Sequence, residues 1–271
     1  MKNIILKANA MKRTLIDKLP DGLPSRIAAM LSGARIYDSS CSPEARVYFI
    51  DKGEGLYLKR GERGSLCREC EVTEYFFKKG LGAHILELEQ NEYDWMLSKR
   101  VVGEDCTHSC YLGDPKRLAE LIGVELRRLH ETDASDCPVR DRMGEYISLV
   151  EENYTTGNYD SSHFPDSFGY RSADEAINVF NNGKKELKNE VLIHGDYCLP
   201  NIMLDNWSLS GFIDVGNGGI GDRHVDIFWG AWTLGFNLGT DQYRERFLDA
   251  YGRDKIDEDK LRVIAAAEVF G

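Results

Sequence analysis

Positive charge is in short supply. The chain has 34 lysines and arginines against 45 aspartates and glutamates, a formal net charge of −11. A phosphate-backbone binder needs a basic patch, so no nucleic-acid partner is expected. A cationic small molecule suits the balance better. Long hydrophobic runs are lacking too. The most apolar stretch, residues 227–232, falls far short of the roughly 20 residues of a membrane span, so it reads as a buried helix and no membrane partner is expected. The opening Met1-Lys2-Asn3-Ile4-Ile5-Leu6-Lys7 has too few consecutive apolar residues for a signal-peptide core. The seven cysteines are an odd number, and reduced thiols in a cytoplasmic protein are the expectation. Cys67-x-x-Cys70 and Cys106-Thr107-His108-Ser109-Cys110 carry enough donors for zinc. The first pair falls in a helical stretch, 65–79, and the second lacks a turn glycine, so thiols without metal are the preferred reading.

Repeats and low-complexity tracts are also absent. With 271 residues, 42% apolar and 29% charged, the chain can build one large domain or two modest ones. Its first hundred residues read as short strands at 34–37, 46–50, 56–59, 83–88 and 93–97, with one helix at 69–79 bearing Val72, Tyr75 and Phe76 on one face. After Ser98 helical spacing takes over. Residues 115–131 place Leu118, Leu121, Ile122, Leu126 and Leu129 on a helix with Asp114 as N-cap and Pro115 at its first position. Further helices are expected at 141–153, 173–182, 225–234, 241–251 and 260–270, with short strands at 191–193, 202–204 and 211–213. The expected plan is α+β and two-lobed: a sheet lobe at 1–97, a hinge at 98–104 and a mainly helical lobe at 105–271.

The most informative segment is His194-Gly195-Asp196-Tyr197-Cys198-Leu199-Pro200-Asn201, followed by Phe212-Ile213-Asp214-Val215-Gly216. A strand delivers Asp196 on a loop, Asn201 opens the next strand, and Asp214 returns beyond a hairpin. Phosphoryl transfer needs this inventory: a carboxylate to orient the acceptor hydroxyl, and amide and carboxylate oxygens to hold magnesium. The D-x-x-x-x-N spacing matches a kinase catalytic loop, with Asp214-Val215-Gly216 in place of D-F-G. Upstream, Lys59 ends a strand where a phosphate-binding lysine belongs. Glu69 begins the next helix, placed to pair with it, and Glu71 and Glu74 share that helix. Ser42, in the 38–43 turn, can offer a hydroxyl and an N–H to phosphate, although no G-x-G-x-x-G is present.

The chain resembles the aminoglycoside phosphotransferases of the protein-kinase-like fold, especially their 3′-phosphotransferase branch. The resemblance runs through Ser42-Pro43, Leu56-Tyr57-Leu58-Lys59, Leu129-His130, Ser135-Asp136-Cys137-Pro138, the 194–201 loop, Ser210-Gly211-Phe212-Ile213-Asp214 and Glu268-Val269-Phe270. It implies Asp196 as the catalytic carboxylate, Asn201 and Asp214 as magnesium ligands, and Lys59 paired with Glu69 on the phosphates of ATP, with GTP left open. It further implies that Tyr57 stacks on adenine, that the backbone at Ser98 and Arg100 hydrogen-bonds it, and that Met96 lines its pocket. Asp226 braces the catalytic loop in this reading. Glu268, the end of the chain through Phe270, and Asp166 contact a cationic aminoglycoside in a monomer or weak dimer. Asn217 stands where the family usually has arginine, and Ala267 where it usually has aspartate. Both departures lie on the acceptor side. Choline or another small cationic hydroxy compound stays open as acceptor, as does a non-catalytic nucleotide-binding homologue.

Overall fold

The computed structural model describes residues 13–40, 45–160 and 169–271. In chain order its first elements are β1 (Thr14–Ile16), α1 (Ser25–Leu31), β2 (Arg35–Asp38), β3 (Arg46–Asp51), β4 (Leu56–Glu62), α2 (Cys67–Lys78), β5 (Ile85–Gln90), β6 (Tyr93–Lys99) and β7 (Glu104–Asp105). Then come α3 (Ser109–Leu112), α4 (Pro115–His130), α5 (Arg142–Thr156), α6 (Ala173–Gly183), β8 (Val191–Ile193), β9 (Ile202–Asp205) and β10 (Ser208–Phe212). The last are β11 (Gly219–Gly221), α7 (Arg223–Leu238), α8 (Arg244–Tyr251) and α9 (Glu258–Ala267). Two compact units result: the described part of Ile4–Tyr111 with Pro200–Asn217, and Leu112–Leu199 with Gly218–Gly271. No described helix is long and apolar enough to cross a membrane.

Alternation along the strands builds the first unit. Its six-stranded sheet runs β1-β2-β3-β4-β6-β5, antiparallel throughout. With side chains alternating across the pleat, Ile36, Tyr48, Ile50, Leu58 and Leu97 fall on one face and bury against Ile27 and Leu31 of α1. The opposite face carries Met96, which packs with Leu66, Cys70 and Ile85 beside α2. The helix α1 and the strand β1 add to the one-helix, five-strand lobe that the sequence suggested. The helix has seven residues, no side-chain N-cap and only two buried positions, too short for an apolar period to show.

A second sheet, β10-β9-β7, completes this unit. Residues Pro200–Asn217 therefore fold with the N-terminal part of the chain, because β9 pairs with β7. The expected 105–271 lobe included them. Sequence adjacency could not reveal a pairing between positions a hundred residues apart.

The second unit is helical. Asp114 accepts a hydrogen bond from the Arg117 amide and Pro115 occupies the first turn, so α4 starts where its cap dictates. Leu118, Ile122, Leu126 and Leu129 are buried along it. The core joins Val150, Phe180, Ile193, Val225, Ile264 and Phe270, drawn from α5, α6, β8, α7, α9 and the turn after α9.

Candidate active site

Register decides the sheet half of the site. Tyr57 and Lys59, two apart on β4, share a face, with Ser98 opposite Tyr57 and Met96 opposite Lys59. This is the face beside α2, whose first turn carries Glu69. Lys59 Nζ lies 2.7 Å from both Glu69 Oε1 and Oε2 and 3.1 Å from Asp214 Oδ1. Of the three glutamates on the helix, Glu69 is the one that meets the lysine. Burial alone lowers the affinity of the Lys59 amine for its proton, but the charges of Asp214 and Glu69 outweigh it and hold the ammonium well above its ordinary pKa. Burial pushes the Glu69 carboxyl up, with Lys59 opposing.

The β9–β10 hairpin brings two further residues together. Asn206 and Trp207 both have positive φ, 49° and 64°, which gives the tight two-residue connection its hairpin twist. Trp207 is steadied edge-on against Tyr111, ring centroids 5.0 Å apart. At the other end the Ile213 amide donates to the Asn201 carbonyl at 3.0 Å. Asn201 and Asp214 thus flank one hairpin end, both oxygen donors. Asp214 itself has φ 55°, a sparsely populated region for a residue with a side chain. Gly216 follows; a Cβ there would sit 3.3 Å from Glu69 Cβ, so the missing side chain lets this turn close on the lysine's partner.

The helical unit holds Asp196. Strand β8 is fully buried, and Gly195 at φ 81° turns the chain out of it. Asp226, with no exposed surface, accepts from the His194 amide at 2.7 Å and from the Gly195 amide at 2.8 Å. Its Oδ2 also meets His130 Nε2 at 3.2 Å. Burial lowers the His130 pKa despite Asp226. The neutral ring then donates from Nε2 to Asp226 and accepts at Nδ1 from the Tyr251 hydroxyl, 2.8 Å away. The Asp196 amide donates to His194 Nδ1 at 3.2 Å, and the Leu199 amide donates to Thr233 Oγ1 of α7 at 3.2 Å. The loop is held by its backbone.

Glu268 follows α9, half-buried. The Tyr146 hydroxyl donates to its Oε1 at 2.6 Å, and the Trp229 indole N–H is a second donor. Burial pushes its carboxyl up to about 7; the two hydrogen bonds oppose this and the Asp196 charge adds to it. Phe270 is placed differently from its expected ligand-facing role. Its side chain is fully buried, edge-on to Tyr154 and Tyr159, and its carbonyl accepts from Asn153 Nδ2 at 2.6 Å. An aromatic ring here contributes more by filling the core than by meeting a cation. Ala267 is likewise buried.

Ser98 lies inside β6, with Tyr57 on one side and Ile85 on the other. The Arg100 amide already donates to the Gly55 carbonyl at 3.1 Å. Tyr57 lies edge-on to Phe49 at 5.5 Å and accepts a hydrogen bond from Arg13 at 3.0 Å. Ser42 and Asp166 fall outside the described residues. Among the described residues no cluster of three or more metal-binding side chains of His, Cys, Asp or Glu occurs. Tyr251 and Tyr146 are not signalled by the sequence, and His130 only as part of the resemblance, without its partners: those lie about a hundred residues away, and no local spacing signals them.

Similarity to known proteins converges with this geometry. A family model described as the phosphotransferase enzyme family matches residues 44–264. A probable aminoglycoside 3′-phosphotransferase of Lactococcus lactis subsp. lactis (strain IL1403) is 48% identical over 260 residues, covering 96% of this chain and 97% of its own. An aminoglycoside 3′-phosphotransferase of Niallia circulans is 29% identical over 182 residues, covering 67% and 69%. Among solved structures, an aminoglycoside-3′-phosphotransferase of type VIII superposes with a TM-score of 0.76 at 20% identity, covering 91% of this chain and 97% of that one. The aminoglycoside phosphotransferase APH(3″)-Id from Streptomyces rimosus ATCC10970, in complex with ADP and streptomycin, gives 0.71 at 22% identity, covering 83% and 90%. At these identities the structures speak for the fold.

Proposed function

The chain belongs to the phosphotransferase enzyme family, and on that premise we propose that it moves the γ-phosphoryl group of ATP to a hydroxyl of an aminoglycoside, the 3′-hydroxyl first, and so confers resistance. The observation that carries the reading is the Lys59 ammonium held between Glu69 and Asp214, with Asn201 at the same hairpin end as Asp214. A permanently charged donor beside two hard oxygen ligands suits a metal-bound polyphosphate. The 48% identity to the Lactococcus relative supports the acceptor.

In this reading Lys59 neutralises charge on the ATP phosphates, and Glu69 fixes where its ammonium points. Asn201 and Asp214 fit magnesium: amide and carboxylate oxygens are its preferred donors, and the Asp214 side chain is 56% exposed. When bound, the ion supplies charge neutralisation along the phosphates. Tyr57 and Met96 flank the adenine. Asp196 accepts the hydrogen bond of the acceptor hydroxyl, aligns its oxygen for attack and takes up its proton as the new bond forms. Catalysis is then positioning and charge compensation, with no covalent work by the protein. Glu268 meets an ammonium group of the acceptor. A second reading, choline or another small cationic alcohol, is favoured by the buried Ala267, which leaves one carboxylate fewer beside Glu268.

The test is an ATP-consumption screen with kanamycin, neomycin and choline, GTP in parallel, read by product mass. Phosphorylated kanamycin is the expected product. Turnover of choline alone would move the assignment to the second reading. A magnesium-dependent thermal shift with ATP but no turnover on any acceptor would overturn both.

A further inference from the structure

The cysteines of Cys67-Arg68-Glu69-Cys70 have no part in the proposed reaction, yet they enclose two residues that touch the candidate site. Cys67 is the first residue of α2, and Cys70 follows one turn later. Between them, Glu69 grips the Lys59 ammonium with both carboxylate oxygens. Arg68 Nε donates to the Gly216 carbonyl at 3.1 Å. One helical turn therefore fixes both the lysine's partner and the backbone that follows Asp214.

Helical geometry puts the two thiols within reach of each other. Residues three apart on an α-helix have Cα atoms about 5 Å apart, inside the roughly 4.4–6.8 Å that a disulfide spans. Their Cβ atoms stand about 5–6 Å apart against about 3.5–4.5 Å in a disulfide, so closure tightens the turn. This is the turn of α2 that can yield. Its intrahelical bonding begins with the Cys70 amide, which donates to the Leu66 carbonyl at 2.9 Å, and the amides of residues 67–69 lie before that bond. The thiols differ in access. Cys67 is exposed, and Gln90 Nε2 donates to its sulfur at 3.2 Å, which favours a thiolate over the opposing Asp94 carboxylate at 3.9 Å. Cys70 is buried with Leu66, Ile85 and Met96, and burial pushes its thiol pKa up to about 11. An oxidant meets Cys67 first and leaves Cys70 to complete the bond.

We propose that Cys67 and Cys70 are a dithiol–disulfide site, oxidised by a peroxide, whose closure displaces Arg68 and Glu69 and so weakens ATP binding; the last step rests on the phosphotransferase reading above. The Cys67 thiolate attacks one peroxide oxygen and forms an S–O bond. The O–O bond breaks, and the hydroxide leaves as water with the proton that Cys67 gave up. The Cys70 sulfur then attacks the sulfenic sulfur of Cys67, the S–O bond breaks, and a second water leaves with the Cys70 proton. Two electrons pass from the sulfurs to the peroxide. A small dithiol restores both thiols by exchange. In the tightened turn Glu69 no longer meets Lys59 with both oxygens, and Arg68 no longer reaches Gly216. The lysine keeps its charge and loses its aim.

The experiment treats the full wild-type chain, Cys67→Ser, Cys70→Ala and Cys110→Ser with hydrogen peroxide and then with dithiothreitol. Each state is digested with trypsin for mass analysis, titrated with ATP by calorimetry and assayed for turnover of kanamycin. Trypsin cuts after Arg68, so the bond joins peptide 64–68 to peptide 69–78. The joined peptides are expected in oxidised wild type and in Cys110→Ser, which removes the other exposed thiol, and in neither variant of the pair. The ATP Kd and KM of oxidised wild type should rise about tenfold, with the kanamycin KM within about twofold of the reduced chain. Dithiothreitol should restore the reduced values. Cys67→Ser changes an exposed position and carries the test even if Cys70→Ala, in the core, fails to fold. Oxidised wild type without the joined peptides overturns the proposal, as does the joined pair with ATP affinity unchanged. A peroxide-induced loss of ATP affinity that persists in Cys67→Ser also overturns it, since another thiol is then responsible. A reduced chain whose ATP affinity follows the bond but which phosphorylates no acceptor sinks the phosphotransferase reading and leaves the redox site standing.

Discussion

The Lys59 ammonium sits equidistant, at 2.7 Å, from the two carboxylate oxygens of Glu69. This bidentate grip orders a long side chain before any nucleotide arrives. Glu69→Gln keeps the shape but removes the charge, and should raise the ATP KM by about tenfold. The kanamycin KM should stay close to wild type. Steady-state kinetics with each substrate varied in turn checks this; equal effects on both substrates would show that Glu69 serves the fold rather than the phosphates.

Asp226 gathers three donors with no access to water: the His194 amide, the Gly195 amide and His130 Nε2. Removing the acceptor leaves all three unsatisfied in the interior. Asp226→Ala should cost about 3–5 kcal/mol of stability, read by urea unfolding. Asp196→Ala leaves these three donors paired with Asp226. It should leave stability unchanged and lower kcat by about a hundredfold to ten-thousandfold, with ATP affinity retained.

If Glu268 meets the acceptor as proposed, acceptor binding depends on pH. With its pKa near 7, it is about nine-tenths ionised at pH 8 and about one-tenth at pH 6. The kanamycin KM should fall as pH rises across that interval, and Glu268→Gln should flatten the profile. A profile that keeps its slope in the variant would assign the titration to another group.

The same residue affects stability in the opposite sense. A carboxyl whose folded pKa is raised contributes stability below its unfolded value, near 4.5, that is lost as pH rises through about 7. His130 behaves inversely: its folded pKa is lowered from 6.5, so stability is full above that value and is lost as pH falls below it. Glu268→Gln should therefore stabilise the chain at pH 8 relative to wild type and leave it little changed at pH 4. Chemical denaturation at the two pH values measures the difference.

The formal charge of −11 predicts a salt effect. Screening weakens long-range attraction of a polycationic acceptor, whereas in the proposed reading ATP is held by close contacts to Lys59. Raising salt should raise the kanamycin KM more than the ATP KM; parallel changes in the two would remove the surplus carboxylates from any role in substrate capture.

Much of the candidate site was readable in the sequence because its chemistry is local. Asp196 and Asn201 are separated by a loop, Asn201 and Asp214 by a single hairpin, and Lys59 and Glu69 by ten residues of strand, turn and helix. Asp114 and Pro115 announced the start of α4 in the same way. The short α1 and β1 carried too few buried positions to announce themselves.

Sequence by itself determined which chemical groups the chain possesses and the short-range spacing that presents them, since turns, caps and alternation depend on neighbours along the backbone. Tertiary structure alone decided which of these groups meet. It chose Glu69 over Glu71 and Glu74 for Lys59, withdrew Phe270 into the core and moved residues 200–217 into the sheet unit. It also linked His130 to Asp226, 96 positions apart. Pairings of that separation are set by how buried surfaces fit together, and no spacing along the chain encodes them.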